Sequence, residues 1–254
     1  MVKGHAVSLE NKVAFVSGAS KGIGVQIARA LAGAGADLAL TARNETELEQ
    51  TAEATRKLGA RAWTRTAELA DADDVKALGE AVLSEFGRVD ILVNNAGLTF
   101  PQTILDIRIE EWNTTLNVNT LAPLLLTQAF APGMITRGHG KIINLSSRAG
   151  LNALDEHGAY SASKAALQLL TQTMAVEFGP HNIQANCVAP TVILTPMAEQ
   201  VWTPGPRTDV KLKSIPAGHF GEPMQVAEAV LFLASPMSEF VNGVTLPIDG
   251  GEGA

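Results

Sequence analysis

Short runs of wholly apolar residues alternate with stretches of helical periodicity along almost the whole chain, and few architectures accommodate both. Val13-Ala14-Phe15-Val16 predicts a buried strand, with a helix from Gly22 to Ala34 after it. Strands at Asp37 to Thr41, Ala60 to Thr66 and Asp90 to Asn94 are separated by helices at Glu45 to Leu58 and Asp71 to Phe86, the latter capped by Asp71 or Asp73. A long helix is expected from Ile109 to Thr136, bent or interrupted by Pro123 and Pro132. Lys141 to Leu145 and Ile183 to Val188 are strands around a helix from Tyr160 to Phe178. Pro223 to Ala234 is a last helix and Val244 to Ile248 a last strand. Strands apolar on both faces must be covered on both, and their alternation with helices implies a parallel sheet. Right-handed crossovers make it doubly wound. No composition break or linker divides residues 1–254, so the expectation is a single α/β domain. The stretch from Thr191 to Glu222 lacks clear periodicity and is long for a connection, which marks it as a lid over a substrate.

Composition narrows the classes of function. A formal net charge of −7 opposes a nucleic-acid partner. Cys187 is the sole cysteine, so no intrachain disulfide can form and nothing points to an oxidising compartment. The five histidines are scattered, without HExxH or CxxC spacing, and support no metal site. Met1 to Lys12 lacks the apolar core of a signal peptide, and no stretch reads as apolar enough to span a bilayer. The expectation is a cytoplasmic protein with no membrane partner.

Two local patterns carry chemistry. Ser17-Gly18-Ala19-Ser20-Lys21-Gly22-Ile23-Gly24 joins the first strand to the first helix with GxxxGxG spacing. Glycines there permit a tight turn and let backbone approach a pyrophosphate at a helix N-terminus. The second strand ends at Thr41-Ala42-Arg43, without the carboxylate that usually holds the ribose hydroxyls of NAD. Arg43 and Lys21 suit a 2′-phosphate instead, which favours NADP(H), with NAD(H) possible. The second pattern is Tyr160, the only tyrosine, four residues before Lys164. That spacing places phenol and ammonium on one helix face. A nearby cation favours the phenolate and lowers the phenol's pKa from its usual value of about 10. Such a phenol can exchange a proton with an alcohol or carbonyl.

With these motifs in this order, the sequence resembles the short-chain dehydrogenase/reductase family in its compact branch. Gly18/Gly22/Gly24, Asn94-Asn95-Ala96-Gly97, Asn119, Ser147, Tyr160 with Lys164, and Pro190 followed by Thr195 carry the likeness, which runs to Asp249-Gly250-Gly251. The resemblance implies a seven-stranded Rossmann sheet, a nicotinamide cofactor and a homotetramer or dimer. It implies Tyr160 as general acid/base, Lys164 as the group that tunes it and holds the nicotinamide ribose, and Ser147 as the hydroxyl that orients the substrate oxygen. Asn119 would hold a water in a proton relay to Lys164. Cofactor contacts are implied for Gly18, Ser20, Lys21, Gly22, Ile23, Gly24, Arg43, Glu68, Leu69, Asn95, Ala96, Gly97, Tyr160, Lys164, Pro190, Ile193 and Thr195. Three positions depart from the family pattern: Glu68 for an aspartate, Ser17 for a threonine, and Thr191 for a glycine.

The run Asn186 to Thr195 is similar to that of L-xylulose (dicarbonyl) reductases, and Glu239 to Gly243 to that of bacterial sugar-acid and polyol dehydrogenases. These likenesses imply a small sugar, polyol or dicarbonyl as the secondary alcohol or ketone. Trp202 either stacks on a sugar face or pins the lid. His157 either lines the pocket or sits on a surface loop, and Arg148 either meets substrate or forms an internal ion pair. A 3-oxoacyl thioester reductase would use the same four residues, although its acidic carrier partner fits poorly with a net charge of −7. A non-catalytic NADPH sensor is the reading from another class. An apolar spread of Ala165, Leu169, Met174 and Val176 on the helix after Tyr160 needs a second partner besides the sheet, either another subunit or the lid.

Overall fold

The computed structural model describes residues 7–195, 198–199 and 202–254, so positions 1–6, and 196–197 and 200–201 within the expected lid, lie outside the described residues. Seven strands form one sheet: β1 (Val13–Ser17), β2 (Asp37–Ala42), β3 (Ala62–Thr66), β4 (Ile91–Asn94), β5 (Gly140–Leu145), β6 (Ile183–Pro190) and β7 (Thr245–Ile248). All neighbours are parallel, in the order β3-β2-β1-β4-β5-β6-β7. The reason is visible residue by residue. Ala14, Val16, Leu38, Leu40, Ile91, Val93 and Ile143 enter one core. The residues between them, Phe15, Ala39, Leu92 and Ile142, enter another on the opposite face. Alternating side chains with both sets apolar require helices on both sides.

The first core is covered by α1 (Gly22–Gly33), α2 (Glu45–Arg56) and α8 (Pro223–Ala234), the second by α3 (Ala72–Phe86), α5 (Ala122–Arg137) and α6 (Gly158–Phe178). Asp71 caps α3, accepting from the backbone N–H groups of Asp73 and Asp74. The order of connection reverses between β1 and β4, which opens a crevice at the C-terminal ends of those strands.

The expected helix from Ile109 to Thr136 is broken once. α4 (Ile109–Leu116) passes through a π turn at Asn117–Leu121 into α5. Pro123 has no N–H to offer the Asn119 carbonyl four residues back, and the backbone widens there. α5 continues through Pro132, so only the first proline interrupts. The combined run Ile109–Arg137, 29 residues, is long and apolar enough by composition to cross a bilayer, contrary to the sequence expectation. Half of its most apolar window is buried within the fold, 50%. The segment after β6 also holds a helix that periodicity did not reveal, α7 (Pro206–Lys213). Only Thr208 of it is buried, so it has no apolar stripe. Its signals are Pro206 at the first turn, Asp209, and Lys211 and Lys213 in the last turn.

Lys141 of β5 is an unusual core residue, 1% exposed, with its amine donating to Ser238 Oγ at 3.3 Å. Burial pulls its pKa down to about 8, opposed by Glu239. Between about 8 and the ordinary lysine value of about 10.4 the unfolded chain holds a proton that the folded chain has released, so stability rises with pH there. Below that window the cost of a buried ammonium is present in full. Lys141→Met is expected to raise stability near neutral pH by roughly 1–3 kcal/mol, a pKa unit being about 1.4 kcal/mol. It should also flatten the alkaline rise. Urea unfolding of both proteins across that range checks this, and a lower midpoint for the variant near neutral pH would contradict it.

Candidate active site

Four strand ends converge on the crevice, and each leads into residues singled out by sequence. β1 runs into the glycine loop, β4 into Asn95-Ala96-Gly97, β5 into Ser146-Ser147, and β6 into Thr191 to Thr195. α6 brings Tyr160 and Lys164 to the same place, and the π turn brings Asn119.

Lys164 is 3% exposed, and its Nζ donates to the Leu145 carbonyl at 2.7 Å, at the tip of β5. The Ser146 hydroxyl donates to the Lys164 carbonyl at 3.1 Å, and Gln168 Nε2 donates to Ser146 Oγ at 2.8 Å. Ser146 therefore serves as a clamp on α6, leaving Ser147 beside the phenol. Gln168 was not anticipated, although its place one turn beyond Lys164 is legible as the same helix face. A β-carbon at Gly97 would lie 3.2 Å from Lys164 Nζ and 3.4 Å from Asn119 Oδ1, so these three residues meet. Asn119 is 0% exposed, and both of its amide protons are engaged. Nδ2 donates to the Leu98 carbonyl and to Ser163 Oγ, while Oδ1 accepts from Leu98 N at 2.9 Å. Both side-chain donors are therefore spent, while Oδ1 keeps one acceptor position. The Asn119 main-chain carbonyl, deprived of its regular helical donor by Pro123, is a second acceptor at this place.

The electrostatics correct one expectation. Tyr160 keeps some exposed surface, but its hydroxyl is densely surrounded, and burial pushes its pKa up, with the Ser147 hydroxyl opposing. The Lys164 amine lies 5.6 Å from the Tyr160 ring centroid and is committed to Leu145, so it does not draw the phenol below its ordinary value. Burial instead lowers Lys164 itself to about 8. The phenol is thus held protonated near neutral pH, beside an amine that can exchange a proton there.

The glycine loop fits a dinucleotide. Gly18 and Gly22 have φ of +65° and +55°. A β-carbon at Gly24 would fall 2.1 Å from the Gly18 carbonyl oxygen, and one at Gly22 2.9 Å from Thr195 Cγ2. Asn95 secures the loop, donating through Nδ2 to the carbonyls of Ser17 and Gly18. Ser17 Oγ accepts from Asn95 N and Ala96 N at 3.1 Å, which explains why a hydroxyl at this position suffices. α1 begins at Lys21 without a side-chain cap and without an acidic residue in its first turn, leaving its N–H groups available to phosphate. Ser20 and Ile23 are half-buried in this loop. Leu69, Pro190 and Ile193 are buried, so they form walls rather than polar contacts. Arg43 stands exposed at the tip of β2 and makes no ion pair among the described residues. Lys21 is paired with Glu47 at 2.7 Å and is less free than expected. The exposed Glu68 turns its carboxylate back to the Ala70 N–H at 3.1 Å.

Of the substrate candidates, His157 is the one placed beside the phenol, its ring centroid 6.1 Å from that of Tyr160 and edge-on. Arg148 is not available: it faces Asp249 at 3.3 Å and donates to Asn152 Oδ1. Its partner lies near the chain's end, which local reading could not supply. Trp202 packs on Phe220, centroids 5.6 Å apart, with the Arg207 guanidinium over its ring at 5.3 Å, an arrangement that pins the segment.

Residues 18–252 match the family model described as enoyl-(acyl carrier protein) reductase, of the adh_short_C2 type. The chain is 40% identical to D-threitol dehydrogenase of Mycolicibacterium smegmatis, over 96% of this chain and 93% of that one. It is 38% identical to L-xylulose reductase of Bos taurus, over 96% and 97%. Among solved structures, a gluconate 5-dehydrogenase from Burkholderia cenocepacia in complex with NADP and tartrate superposes with a TM-score of 0.90, at 34% identity over 96% of each chain. With the sheet order, the strand-end residues and these relatives in agreement, the chain belongs to the short-chain dehydrogenase/reductase family and is an oxidoreductase of alcohols and ketones.

Proposed function

We propose that the protein interconverts a secondary alcohol and a ketone on a small sugar, polyol or dicarbonyl, with NADP(H) preferred. One observation carries the chemistry: Tyr160, with the Ser147 hydroxyl near enough to favour its phenolate, stands one helical turn from a buried Lys164 at the mouth of the glycine-loop crevice. The dinucleotide supplies or accepts the hydride. Gly18, Gly22, Gly24 and the start of α1 hold its pyrophosphate, and Asn95 keeps that loop in shape. Arg43 meets the 2′-phosphate. In reduction, Tyr160 Oη donates its proton to the carbonyl oxygen, and Ser147 Oγ donates a hydrogen bond to the same atom. Lys164 Nζ, titrating at about 8, returns the proton, with the Asn119 carbonyl holding a water behind it. The segment 191–222 excludes water from the cleft of this single domain. The relatives' small polyhydroxylated substrates support the substrate class.

A 3-oxoacyl thioester is the second reading, supported by the acyl carrier protein chemistry for which the matching family is named. A panel of polyols, ketoses, diketones and acyl thioesters separates the two, and turnover only of the thioesters would overturn the first. The protein is placed in the cytoplasm as a homotetramer or dimer. Ala165, Leu169 and Val176 support the oligomer because they lie exposed in one stripe of α6, Leu169 at 65% and Val176 at 76%, while Met174 turns inward.

Tyr160→Phe is expected to cut kcat by about 10²–10⁴-fold while NADPH affinity, read by fluorescence titration, is kept. Near-normal turnover would refute the assigned acid. Arg43→Ala is expected to weaken NADPH binding roughly 10- to 100-fold, the range for losing a charge-assisted hydrogen bond, and to leave NADH unaffected. Equal losses for both cofactors would contradict the 2′-phosphate assignment.

A further inference from the structure

Two pieces of chain, the loop leaving β6 and the helix α7, are tied to one carboxylate near the C-terminus. Glu252 accepts from the Thr191 hydroxyl through Oε2 and pairs with the Lys211 ammonium through Oε1. The Ser214 hydroxyl lies 3.5 Å from the same Oε1. The side chains of Lys211 and Glu252 are only 20% and 16% exposed, so water screens the pair weakly. Burial would raise the Glu252 pKa; Lys211 and Thr191, with Arg148 beyond them, hold it below the ordinary carboxylate value.

The turn that carries Glu252 is shaped to receive the lid. The Ala217 N–H donates to the Gly250 carbonyl at 3.0 Å, and the Thr191 N–H to the Ile248 carbonyl at 3.1 Å. Gly250 has φ +60°, and a β-carbon there would lie 2.8 Å from Ile215 and 2.9 Å from Ala217. One at Gly251 would lie 3.2 Å from Pro216. Asp249 in the same turn faces Arg148, the residue after Ser147. The C-terminal turn therefore touches the serine's own turn, the loop after β6 and the lid.

We propose that Glu252 is a positioning residue, a latch that joins α7 and Thr191 to the C-terminal turn and so sets the lid over Ser147 and Tyr160. The proposal rests on the reading of 191–222 as the lid of an oxidoreductase site. It also gives Thr191 a purpose: its hydroxyl supplies a donor that a glycine at that position lacks.

The test uses the full chain and compares wild type with Glu252→Ala, Glu252→Gln, Glu252→Lys, Lys211→Glu and the reversed pair Lys211→Glu/Glu252→Lys. The readouts are KM and kcat for the carbonyl that the wild type reduces, NADPH affinity, Tm, and the rate of tryptic cleavage after Arg207 and Lys213. Losing a partly buried charged hydrogen bond is expected to raise KM and the cleavage rate about tenfold in Glu252→Ala. NADPH affinity should stay within about twofold. The reversed pair should recover at least half of both losses, and Glu252→Gln, which keeps the side chain's shape, covers the case in which the alanine variant fails to fold. Unchanged KM and cleavage in a folded Glu252 variant, or a reversed pair no better than its parents, would overturn the latch. If the wild type reduces no carbonyl, the functional reading fails instead, and the cleavage comparison alone decides the latch.

Discussion

The site exists because one helix is locked in register against the ends of two strands. α6 meets β5 and β6 through buried polar groups as well as apolar packing, Thr171 reaching Cys187 of β6 at 3.1 Å. Lys164 reaches the Leu145 carbonyl, Ser146 reaches the Lys164 carbonyl, Gln168 reaches Ser146, and Asn144 reaches Thr171. Asn94 Nδ2 extends the series by donating to Asn144 Oδ1 at 2.7 Å. Each such group left unpaired in the interior would cost about 1–3 kcal/mol. A one-residue slip of the helix would turn it by about 100° and break the whole series. Tyr160 owes its position to this lock, since it sits one turn from Lys164 and does not anchor the helix itself.

The glycine loop obeys a complementary constraint. Where α6 is held by side chains, the loop is defined by their absence at Gly18, Gly22 and Gly24, and by the Asn95 amide that bridges β4 to it. Both arrangements sit at the reversal of strand order, where neighbouring connections diverge and leave room for a ligand. The energetic division is simple: burial supplies the rigidity, and backbone left uncovered supplies the binding surface.

How much of this was legible beforehand follows from range of interaction. β1 is buried at every position, and a run such as Val13 to Val16 has no other comfortable state, so the strands were readable. Tyr160 with Lys164, and the three glycines, were readable because helix pitch and turn geometry act within a few residues. Arg148 and Trp202 were ambiguous because their partners, Asp249, Phe220 and Arg207, are fixed only by the fold. α7 escaped notice because a polar surface helix has no apolar period to detect. The π turn at Asn119 needed two facts together, a proline four residues on and a helix continuing past it. The direction of the phenol's pKa is not legible in the spacing, because closeness along a helix does not fix where the amine points. The amine is turned away to Leu145, and burial then dominates.

Because Tyr160 is the only tyrosine, the protonation of the central phenol can be read in the native protein from its phenolate absorbance. Titration of the protein alone and of the protein saturated with oxidised nicotinamide dinucleotide tests the account at its centre. The account predicts a phenol that titrates above the ordinary value of about 10 in the protein alone, as its burial requires, and markedly lower once the cationic nicotinamide ring of the oxidised cofactor is bound beside it. A titration at the ordinary value, unmoved by the dinucleotide, would contradict it.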